Sequence, residues 1–166
     1  MKHDPATVFA EWQGPLGPMV LAATPQGLSG IWFQGQRHGP DTSAWQRATD
    51  VAVLQQAMTQ LAAYFAGRRK AFDLPLDLRA GTAFQQRVWQ ALLEIAPGGT
   101  TSYGALSKRI GSPGAVRAVG AAVGRNPVSI VVPCHRVIGT DGSLTGYAGG
   151  LERKIALLAL EGATRH

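Results

Sequence analysis

Two short helices joined by a very short connection restrict what the second half of this 166-residue chain can fold into. The first begins at Thr101 or Ser102, and the second, capped by Ser112 with Pro113 as its first residue, runs to about Gly124. Helices joined by so few residues cannot continue in line and instead cross, which is the arrangement of a helix-turn-helix. We therefore predict a mostly helical second half built around this motif.

The first half of the chain predicts a small antiparallel sheet followed by a helix. Three apolar or β-branched runs, separated by turns rich in glycine and proline, are the expected strands: residues 7–13, 18–24 and 28–34. A loop at 35–49 and an amphipathic helix at 50–66 follow, and residues 72–78 can add one more strand. The apolar residues of the helix recur at three- and four-residue steps, which predicts a buried face made of Val51, Leu54, Met58, Leu61 and Phe65. His38 lies in the loop and is expected to be an ordinary surface residue.

The chain changes character after residue 78. Thr82 followed by Gln85 makes a capping box, which predicts the start of a further helix. We therefore predict an α+β fold in two domains. Residues 1–78 would form an N-terminal α/β support domain, and residues 79–166 a C-terminal domain that carries the helix-turn-helix and the reactive residues.

Positive charge is concentrated in the second half of the chain. Residues 1–78 hold six lysines and arginines against six acids, whereas residues 79–166 hold ten against four and carry the whole net charge of +6. Such a basic region favours a polyanionic partner, although a solvated basic face would have the same composition.

No apolar run approaches the roughly 20 residues of a membrane span, and no signal peptide is recognisable. We expect no membrane association and a cytoplasmic location, or a nuclear one in a cell with a nucleus.

The second helix of the motif has few of the long polar side chains with which recognition helices read the major groove. Arg117 is its one long polar residue, among small ones such as Ala115 and Ala118. Gly120 costs helix stability, so it serves either close helix packing or contact with a nucleic acid. A helix with small side chains fits the narrow minor groove but carries few hydrogen-bond donors for reading bases. We predict minor-groove docking with little sequence preference, with Arg117 entering the base stack in place of an extruded nucleotide.

The one cysteine of the chain, Cys134, follows an apolar β-branched run. Residues 128–132 predict a buried strand, and Pro133 must end its ladder, which leaves Cys134 at the strand end with His135 and Arg136 beside it. A lone cysteine can be an inert core residue, but a thiol next to cations becomes reactive. A single cysteine also excludes an internal disulfide and the multi-cysteine zinc sites. Because adjacent side chains of a strand point to opposite sides, a water can carry a proton between the thiol and the imidazole.

Glu161 occupies an unfavourable place in the last predicted helix, residues 151–161. On a helical wheel it falls between Leu157 and Leu158, and it lies in the final turn, where the helix dipole disfavours an anion. A carboxylate there either reaches the surface or has a partner. With His135 as that partner, it would complete a Cys–water–His–Glu relay.

These residues resemble the methylated-DNA–protein-cysteine methyltransferases, also called alkylguanine-DNA alkyltransferases. The resemblance is strongest over residues 82–162 and most specific at residues 130–137, Ile-Val-Val-Pro-Cys-His-Arg-Val. Other segments match the family in order and spacing: residues 84–89, 101–104, 117–120, 125–127, 146–150 and 157–162. Residues 1–78 fit the family's variable N-terminal domain loosely. The resemblance implies a ribonuclease H-like N-terminal domain and a winged-helix-like C-terminal domain that holds the active-site cysteine.

The resemblance implies repair of double-stranded DNA that contains O6-alkylguanine, by transfer of the alkyl group to the protein itself. Cys134 would be the nucleophile and acceptor, and His135 and Glu161 would form the relay through water. Tyr103 would protonate the leaving guanine and crowd the phosphate that rotates when the base flips. Asn126 would tie the turn between recognition helix and strand. Because the thioether product is stable, one molecule would repair one lesion, and no cofactor would be needed.

The resemblance also implies a DNA surface and a base pocket. Arg117 would fill the vacated place in the base stack. Further contacts to DNA would come from Ser102, Tyr103, Ala115, Ala118 and Gly120. The guanine pocket would be lined by the carbonyl of Val137 and by Tyr147, Ala148 and Gly149. The sequence leaves open whether O4-alkylthymine is accepted and whether the protein, expected to be a monomer in solution, binds DNA cooperatively.

Some relatives differ from this chain at three features. Serine can stand at the position of Ala148 and histidine at that of Leu160, and neither change touches the core chemistry. Some relatives bind zinc through Cys and His in the N-terminal domain. Residues 1–78 contain no cysteine, so we predict no structural metal.

Three other classes of protein are alternatives. A damage sensor would bind alkylguanine without repairing it, but relatives of that kind lack the acceptor cysteine. A helix-turn-helix regulator with a redox-sensing thiol would prefer a defined operator. A Cys-His hydrolase would turn over an ester or a peptide. Alkyl transfer to Cys134 separates the predicted function from all three.

Overall fold

In the computed structural model, which describes residues 1–163, the chain begins with the predicted antiparallel meander. Its strands are β1 (Val8–Gly14), β2 (Gly17–Thr24) and β3 (Gly27–Phe33). The predicted loop at 35–49 contains a two-residue strand, β4 (Gln46–Arg47), which pairs in parallel with β1 and gives the sheet the order β3-β2-β1-β4. A strand this short has no hydrophobic period, so sequence patterning could not reveal it.

Residues 72–78 do not form the further strand that we predicted. Within the described chain they make one isolated bridge, between Leu28 and Leu76, and Pro75 has no N–H to extend it. The segment nevertheless closes over β3, because both the N–H and the carbonyl of Leu28 bond to it. Gly27, at φ +147, is required at this crossing, since a Cβ there would lie 2.6 Å from the Pro75 carbonyl oxygen.

Helix α1 (Ala52–Phe65) packs against the sheet, but its buried face is rotated from the predicted one. Three residues of the predicted face are only partly buried: Val51, Met58 and Phe65. The fully buried residues are Leu54, Ala57, Leu61 and Tyr64. This rotation buries the Tyr64 side chain, whose hydroxyl contacts Glu161 of the second half of the chain.

The second half contains α2 (Ala83–Leu92), α3 (Tyr103–Arg109), α4 (Val116–Gly124) and α5 (Leu151–Leu160). The predicted capping box opens α2, with Thr82 and Gln85 each bonding the other's backbone N–H. The side chain of Ser102 caps α3. Two short parallel strands, β5 (Thr101–Ser102) and β6 (Val137–Ile138), join the start of α3 to the segment that follows the cysteine.

The helix-turn-helix is present in α3 and α4, but its second helix starts later than we predicted. Residues 112–115 form a turn, closed by a 2.9 Å hydrogen bond from the Ala115 N–H to the Ser112 carbonyl, and α4 begins at Val116. The prediction of Ser112 as the helix cap is therefore wrong. The Ser112 carbonyl also accepts a hydrogen bond from the Ser107 hydroxyl of α3, which holds this turn against α3.

Residues 128–132 do not form the predicted buried strand. Val128 makes a single bridge to Ile31 of β3, and the chain then turns through Ile130, whose φ of +73 is strained for a β-branched residue. The run is buried, as expected, but it is a loop. Its apolar composition reflects burial, and its backbone is bonded by the Asn126 side chain, by Ile31 of β3 and by groups within the run itself.

A continuous hydrophobic core extends through both halves of the chain. At their junction the Ile31 N–H donates to the Pro127 carbonyl at 2.8 Å, and the Ser129 N–H donates to the Ile31 carbonyl at 3.0 Å. The division into domains at residue 78 stays a prediction, and the end of the second predicted domain, 164–166, lies outside the described residues. None of the helices in residues 1–163 has the length and apolar character needed to cross a bilayer.

Candidate active site

Asn126 shapes the loop that leads to the cysteine. Its buried side chain accepts a hydrogen bond from the Val128 N–H at 3.0 Å and donates one to the Val132 carbonyl at 2.7 Å. These bonds satisfy backbone groups that burial removes from water, which a neighbouring strand would otherwise have to do. The loop ends in a 3-10 turn, Cys134–Arg136, so the cysteine and the histidine are not at the end of an extended strand.

Cys134 lines a cavity, yet only 6% of its surface is exposed. Burial raises the pKa of its thiol above the ordinary value, and the neighbouring Asn126 and Lys154 side chains lower it only in part. The thiol is therefore protonated at neutral pH, and the adjacent cations do not ionise it by themselves. Chemistry at this sulfur requires a base.

The predicted relay partners are in contact. His135 Nε2 lies 2.8 Å from Glu161 Oε2, and both side chains are buried. Two further residues bind the same carboxylate. Arg136 donates from Nε to Oε1 at 2.8 Å and from Nη2 to Oε2 at 2.9 Å, and the Tyr64 hydroxyl donates to Oε2 at 2.7 Å. These donors offset the unfavourable position of a carboxylate at the C-terminal end of α5.

The same hydrogen bonds determine the protonation of the pair. Burial would raise the pKa of Glu161, but the donors from Arg136, His135 and Tyr64 hold it well below its ordinary value. Burial lowers the pKa of His135 despite the carboxylate beside it, so the imidazole is neutral near pH 7. The ionised carboxylate places the ring proton on Nε2. The other ring nitrogen, Nδ1, is buried without a hydrogen-bond partner in the described chain and has its lone pair available to accept a proton.

Lys154 is a site residue that our sequence analysis missed. It is fully buried in α5, and its Nζ donates to the Val137 carbonyl at 2.6 Å and the Thr145 carbonyl at 3.3 Å. Desolvation lowers its pKa to about 8. A local signal was available, because Lys154 precedes Leu157 and Glu161 by three and seven residues and so shares their buried helix face. The Val137 carbonyl, predicted to line the pocket, is already an acceptor for this lysine.

The cavity beside Cys134 has a volume of about 260 Å³, which is enough for a single nucleobase. Its walls from the second half of the chain are Tyr103, Gly120, Val123, Gly124, Cys134, Gly146, Tyr147 and Ala148. Arg37 and His38, from the loop after β3, complete it. His38 is exposed, as predicted, but it also lines this cavity, which its position in a loop could not reveal.

The first half of the chain supports the loop that carries the predicted pocket residues. Tyr147 and Ala148 line the cavity, and the Ala148 carbonyl accepts a hydrogen bond from the Arg37 N–H at 3.1 Å. Gly149 packs tightly between two rings, since a Cβ there would lie 2.7 Å from Tyr147 and 2.8 Å from Phe33. The shape of the pocket therefore depends on residues from both halves.

The predicted DNA-binding residues lie together on the helix-turn-helix. Ser102 and Tyr103 stand at the start of α3. Ala115 is the N-cap residue of α4, and Arg117 and Ala118 are exposed in its first turn. Arg117 is the one long charged side chain among these residues. Tyr103 belongs to this surface and also lines the cavity.

Gly120 lies between this surface and the cavity. A Cβ built on it would lie 3.8 Å from the nearest atom of the Tyr103 ring, which is an ordinary van der Waals contact. Helix packing within the described chain therefore does not require glycine at this position. The absence of a side chain instead leaves room in the cavity that Gly120 lines.

Two family models match the chain. The model described as the ribonuclease-like domain of 6-O-methylguanine DNA methyltransferase matches residues 9–78. The model described as the DNA binding domain of the same methyltransferase matches residues 83–163. Between them they cover most of the sequence.

Individual proteins are similar over nearly the whole chain. A methylated-DNA–protein-cysteine methyltransferase of Mycobacterium bovis is 52% identical over 147 residues, which cover 89% of this chain and 87% of that protein. A protein of the same name from Methanosarcina acetivorans is 47% identical over 156 residues, covering 93% and 98%. The crystal structure of Mycobacterium tuberculosis OGT in complex with DNA matches with a TM-score of 0.85 at 49% identity, covering 93% of this chain and 92% of that one.

Proposed function

Because this chain belongs to the methylated-DNA–protein-cysteine methyltransferase family, we propose that it repairs DNA by moving the alkyl group of O6-alkylguanine onto its own Cys134. The position of Cys134 carries the proposal, since the thiol lines a cavity the size of a base, next to a neutral His135 that Glu161 holds in place. The helix-turn-helix beside the cavity supplies a surface for duplex DNA. The relatives that bear the methyltransferase name, and the relative solved with DNA, support both parts of the proposal.

His135 acts as the base in this proposal. A water carries the proton of the Cys134 thiol to Nδ1, the ring nitrogen with a free lone pair. The imidazolium that results is stabilised by the Glu161 carboxylate, 2.8 Å from the other ring nitrogen. This assistance is needed because burial raises the pKa of the thiol. Asn126 and Lys154 contribute by holding the backbone on either side of the cysteine.

The thiolate then attacks the alkyl carbon in line with its bond to O6. The sulfur–carbon bond forms as the carbon–oxygen bond breaks, and the electron pair of the broken bond leaves with guanine. Tyr103 supplies a proton to the guanine, and the proton taken from the thiol replaces it, so protons and charge balance. The product is an S-alkylcysteine that nothing in the reaction reverses. One molecule therefore repairs one lesion, without a cofactor or a metal.

The damaged nucleotide reaches the thiol by leaving the duplex. In this proposal α4 docks in the minor groove, the base flips into the cavity, and Arg117 takes its place in the stack. Flipping costs a few kcal/mol, and less for a poorly paired damaged base. The remaining contacts come from Ser102, Tyr103, Ala115, Ala118 and Gly120. Because residues 79–166 carry the whole excess of positive charge, affinity for DNA should fall as salt rises.

The two predicted domains have different tasks in this proposal. Residues 79–166 bind DNA and accept the alkyl group, and residues 1–78 hold the pocket loop through contacts such as that of Arg37 with Ala148. We further propose that the protein acts as a monomer. A cytoplasmic location would suit the bacterial and archaeal relatives, whose DNA is not enclosed in a nucleus.

Incubation with duplex DNA containing O6-methylguanine is expected to add the mass of one methyl group to the peptide that carries Cys134. Modification should stop when each protein molecule has reacted once, and the amount of restored guanine should equal the amount of modified protein. Peptide mass spectrometry measures the first quantity and chromatography of digested DNA the second, with undamaged duplex as the control. An unmodified peptide from protein that still binds the damaged duplex would overturn the proposal in favour of a damage sensor.

Gly120→Ala is expected to reduce the space available to the base without destabilising the fold. Alanine favours a helix over glycine by about 1 kcal/mol, so the variant should be at least as stable as the parent. Its methyl group narrows the cavity, and we expect transfer to slow by roughly tenfold or more, the scale of one methyl group in a binding pocket. Single-turnover rates and thermal unfolding measure the two effects. Gly104→Ala in α3, outside the cavity, is the matched control, and equal rates for both variants would contradict the pocket assignment.

A further inference from the structure

Tyr64 connects the first half of the chain to the chemistry of the second. It lies in the last turn of α1 with 2% of its surface exposed, and its hydroxyl donates to Glu161 Oε2 at 2.7 Å, across 97 positions of sequence. We propose that Tyr64 is a positioning residue for alkyl transfer, whose hydroxyl sets how strongly Glu161 stabilises the charged form of His135. This inference rests on the function proposed above, because it concerns the same base.

Tyr64 and His135 bond the same carboxylate oxygen of Glu161, Oε2. Glu161 Oε1 accepts from Arg136 Nε, whereas Oε2 accepts from Tyr64, from His135 and from Arg136 Nη2. All of these groups are buried, so water cannot readily replace a donor that is lost. Removing the tyrosine hydroxyl therefore leaves more of the negative charge of Oε2 directed at His135.

The position of the Tyr64 hydroxyl is fixed by packing of its ring. Phe65 lies edge-on with ring centroids 5.4 Å apart, and Phe72 lies tilted at 5.3 Å. Burial and the neighbouring Glu161 charge raise the pKa of Tyr64 far above its ordinary value, so it stays a donor throughout the working pH range. A rigid, permanently protonated hydroxyl can tune a carboxylate without itself taking part in proton transfer.

Several titratable or charged groups face the His135–Glu161 pair or the adjacent thiol: Tyr64 from α1, Cys134 and Arg136 from the 3-10 turn, Tyr147 from the loop before α5, and Lys154 from α5. Burial raises the pKa of both tyrosines and of the thiol, and Lys154 has a pKa of about 8. Below neutral pH, the group of this set that changes charge is His135, because burial lowers its pKa from the ordinary value.

The direction in which Tyr64→Phe shifts the pKa of His135 follows from the negative charge of Glu161. In Tyr64→Phe the carboxylate loses a donor, the imidazolium becomes more stable, and the pKa of His135 rises. The base is then protonated at a higher pH than in the parent protein. We expect the acidic limb of the transfer rate to move to higher pH by up to about one unit, since one unit corresponds to a tenfold change in the protonation equilibrium.

The test is a titration of the full chain, followed by NMR of its nitrogen-labelled histidines without DNA. His135 is assigned from the signal lost in His135→Gln. Tyr64→Phe should raise the titration midpoint of His135, whereas 3-fluorotyrosine placed at position 64, a stronger donor, should lower it. Leu54→Ala is the matched control, because it shortens a buried side chain of the same helix about 15 Å along α1 from Tyr64, at 1.5 Å per residue, and it should reduce stability without moving the midpoint.

The pH profile of transfer by the same proteins completes the test. An unchanged His135 midpoint in both Tyr64→Phe and the fluorotyrosine protein would overturn the inference and leave Tyr64 a packing residue. If one of the two fails to fold, the other decides. Since the titration uses no DNA, its result stands whether or not alkyl transfer occurs. Absence of transfer together with a shifted midpoint would refute the proposed function alone.

Discussion

Replacing Glu161 by glutamine is expected to lower the free energy of unfolding by about 3–5 kcal/mol, the cost of leaving one partner of a buried ion pair alone. The new amide cannot accept the donors of Arg136, His135 and Tyr64 as a carboxylate does, and the buried guanidinium keeps its charge without compensation. Transfer should fall by about 10²- to 10⁴-fold, because an amide NH2 facing Nε2 favours the tautomer with its proton on Nδ1, which then cannot act as the base. Urea unfolding and single-turnover transfer measure the two effects.

A second substitution separates the stability effect from the chemical one. When Glu161→Gln is combined with Arg136→Met, both charges are removed, and most of the lost stability should return. Transfer should stay low, because His135 still lacks its carboxylate. A double variant that regained transfer would show that Glu161 serves merely as the counter-ion of Arg136, and the relay would have to be abandoned.

The parts of the site that could be predicted from sequence are those whose signals are local. The capping box of Thr82 and Gln85 is contained in four residues, and it is present. The helix predicted to begin at Thr101 or Ser102 begins at Tyr103, with Ser102 as its N-cap. Glu161 was identified because a carboxylate between leucines at a helix end needs a partner, which it has in His135. In each case the sequence neighbourhood contains the physical cause.

The prediction of a strand at residues 128–132 was wrong because the bonding of this segment is not determined by its local sequence. Apolar β-branched residues report that a segment is buried, but they do not report what bonds its backbone. Here the Asn126 side chain bonds the Val128 N–H and the Val132 carbonyl, so the run can be a loop. Distinguishing a strand from a loop here would require knowing that the run pairs with β3 only around Ile31 and that a side chain bonds both of its ends.

The contact of Tyr64 with Glu161 could not have been predicted from the sequence around either residue. A small rotation of α1 decides whether Tyr64 or Phe65 is buried, and the periodicity of the helix does not resolve it. The partner of Tyr64 is 97 positions away. Arg37 and His38 were missed for a similar reason, because the meander, and not the local sequence, brings their loop to the cavity.

These contacts make the first half part of the site. Besides the Tyr64 hydroxyl, the Arg153 side chain of α5 lies 4.4 Å over the Phe33 ring and donates from Nε to the Leu16 carbonyl at 2.9 Å. Both contacts join the meander to the helix that carries Lys154 and leads to Glu161. Variation in the first half can therefore alter the reactivity of the site without any change in the motif around the cysteine.

Cys134→Ala is expected to abolish alkyl transfer while preserving both the fold and binding to damaged duplex. The substitution removes one buried sulfur atom from the cavity wall, a change that should alter the free energy of unfolding by about 1 kcal/mol. The surfaces proposed to bind DNA, at the start of α3 and along α4, are untouched. Fluorescence anisotropy with labelled duplexes should give a dissociation constant close to that of the parent protein, with undamaged duplex as the reference.

The alanine variant also isolates recognition of the lesion from its repair. Because it cannot react, it should remain bound to O6-methylguanine duplex, whereas the parent protein transfers the group once and then holds repaired DNA. Equal affinity of the variant for damaged and undamaged duplex would mean that the cavity does not recognise the alkylated base. Residual transfer in the variant would require another acceptor, and since the chain contains no second cysteine, the thioether chemistry itself would then be refuted.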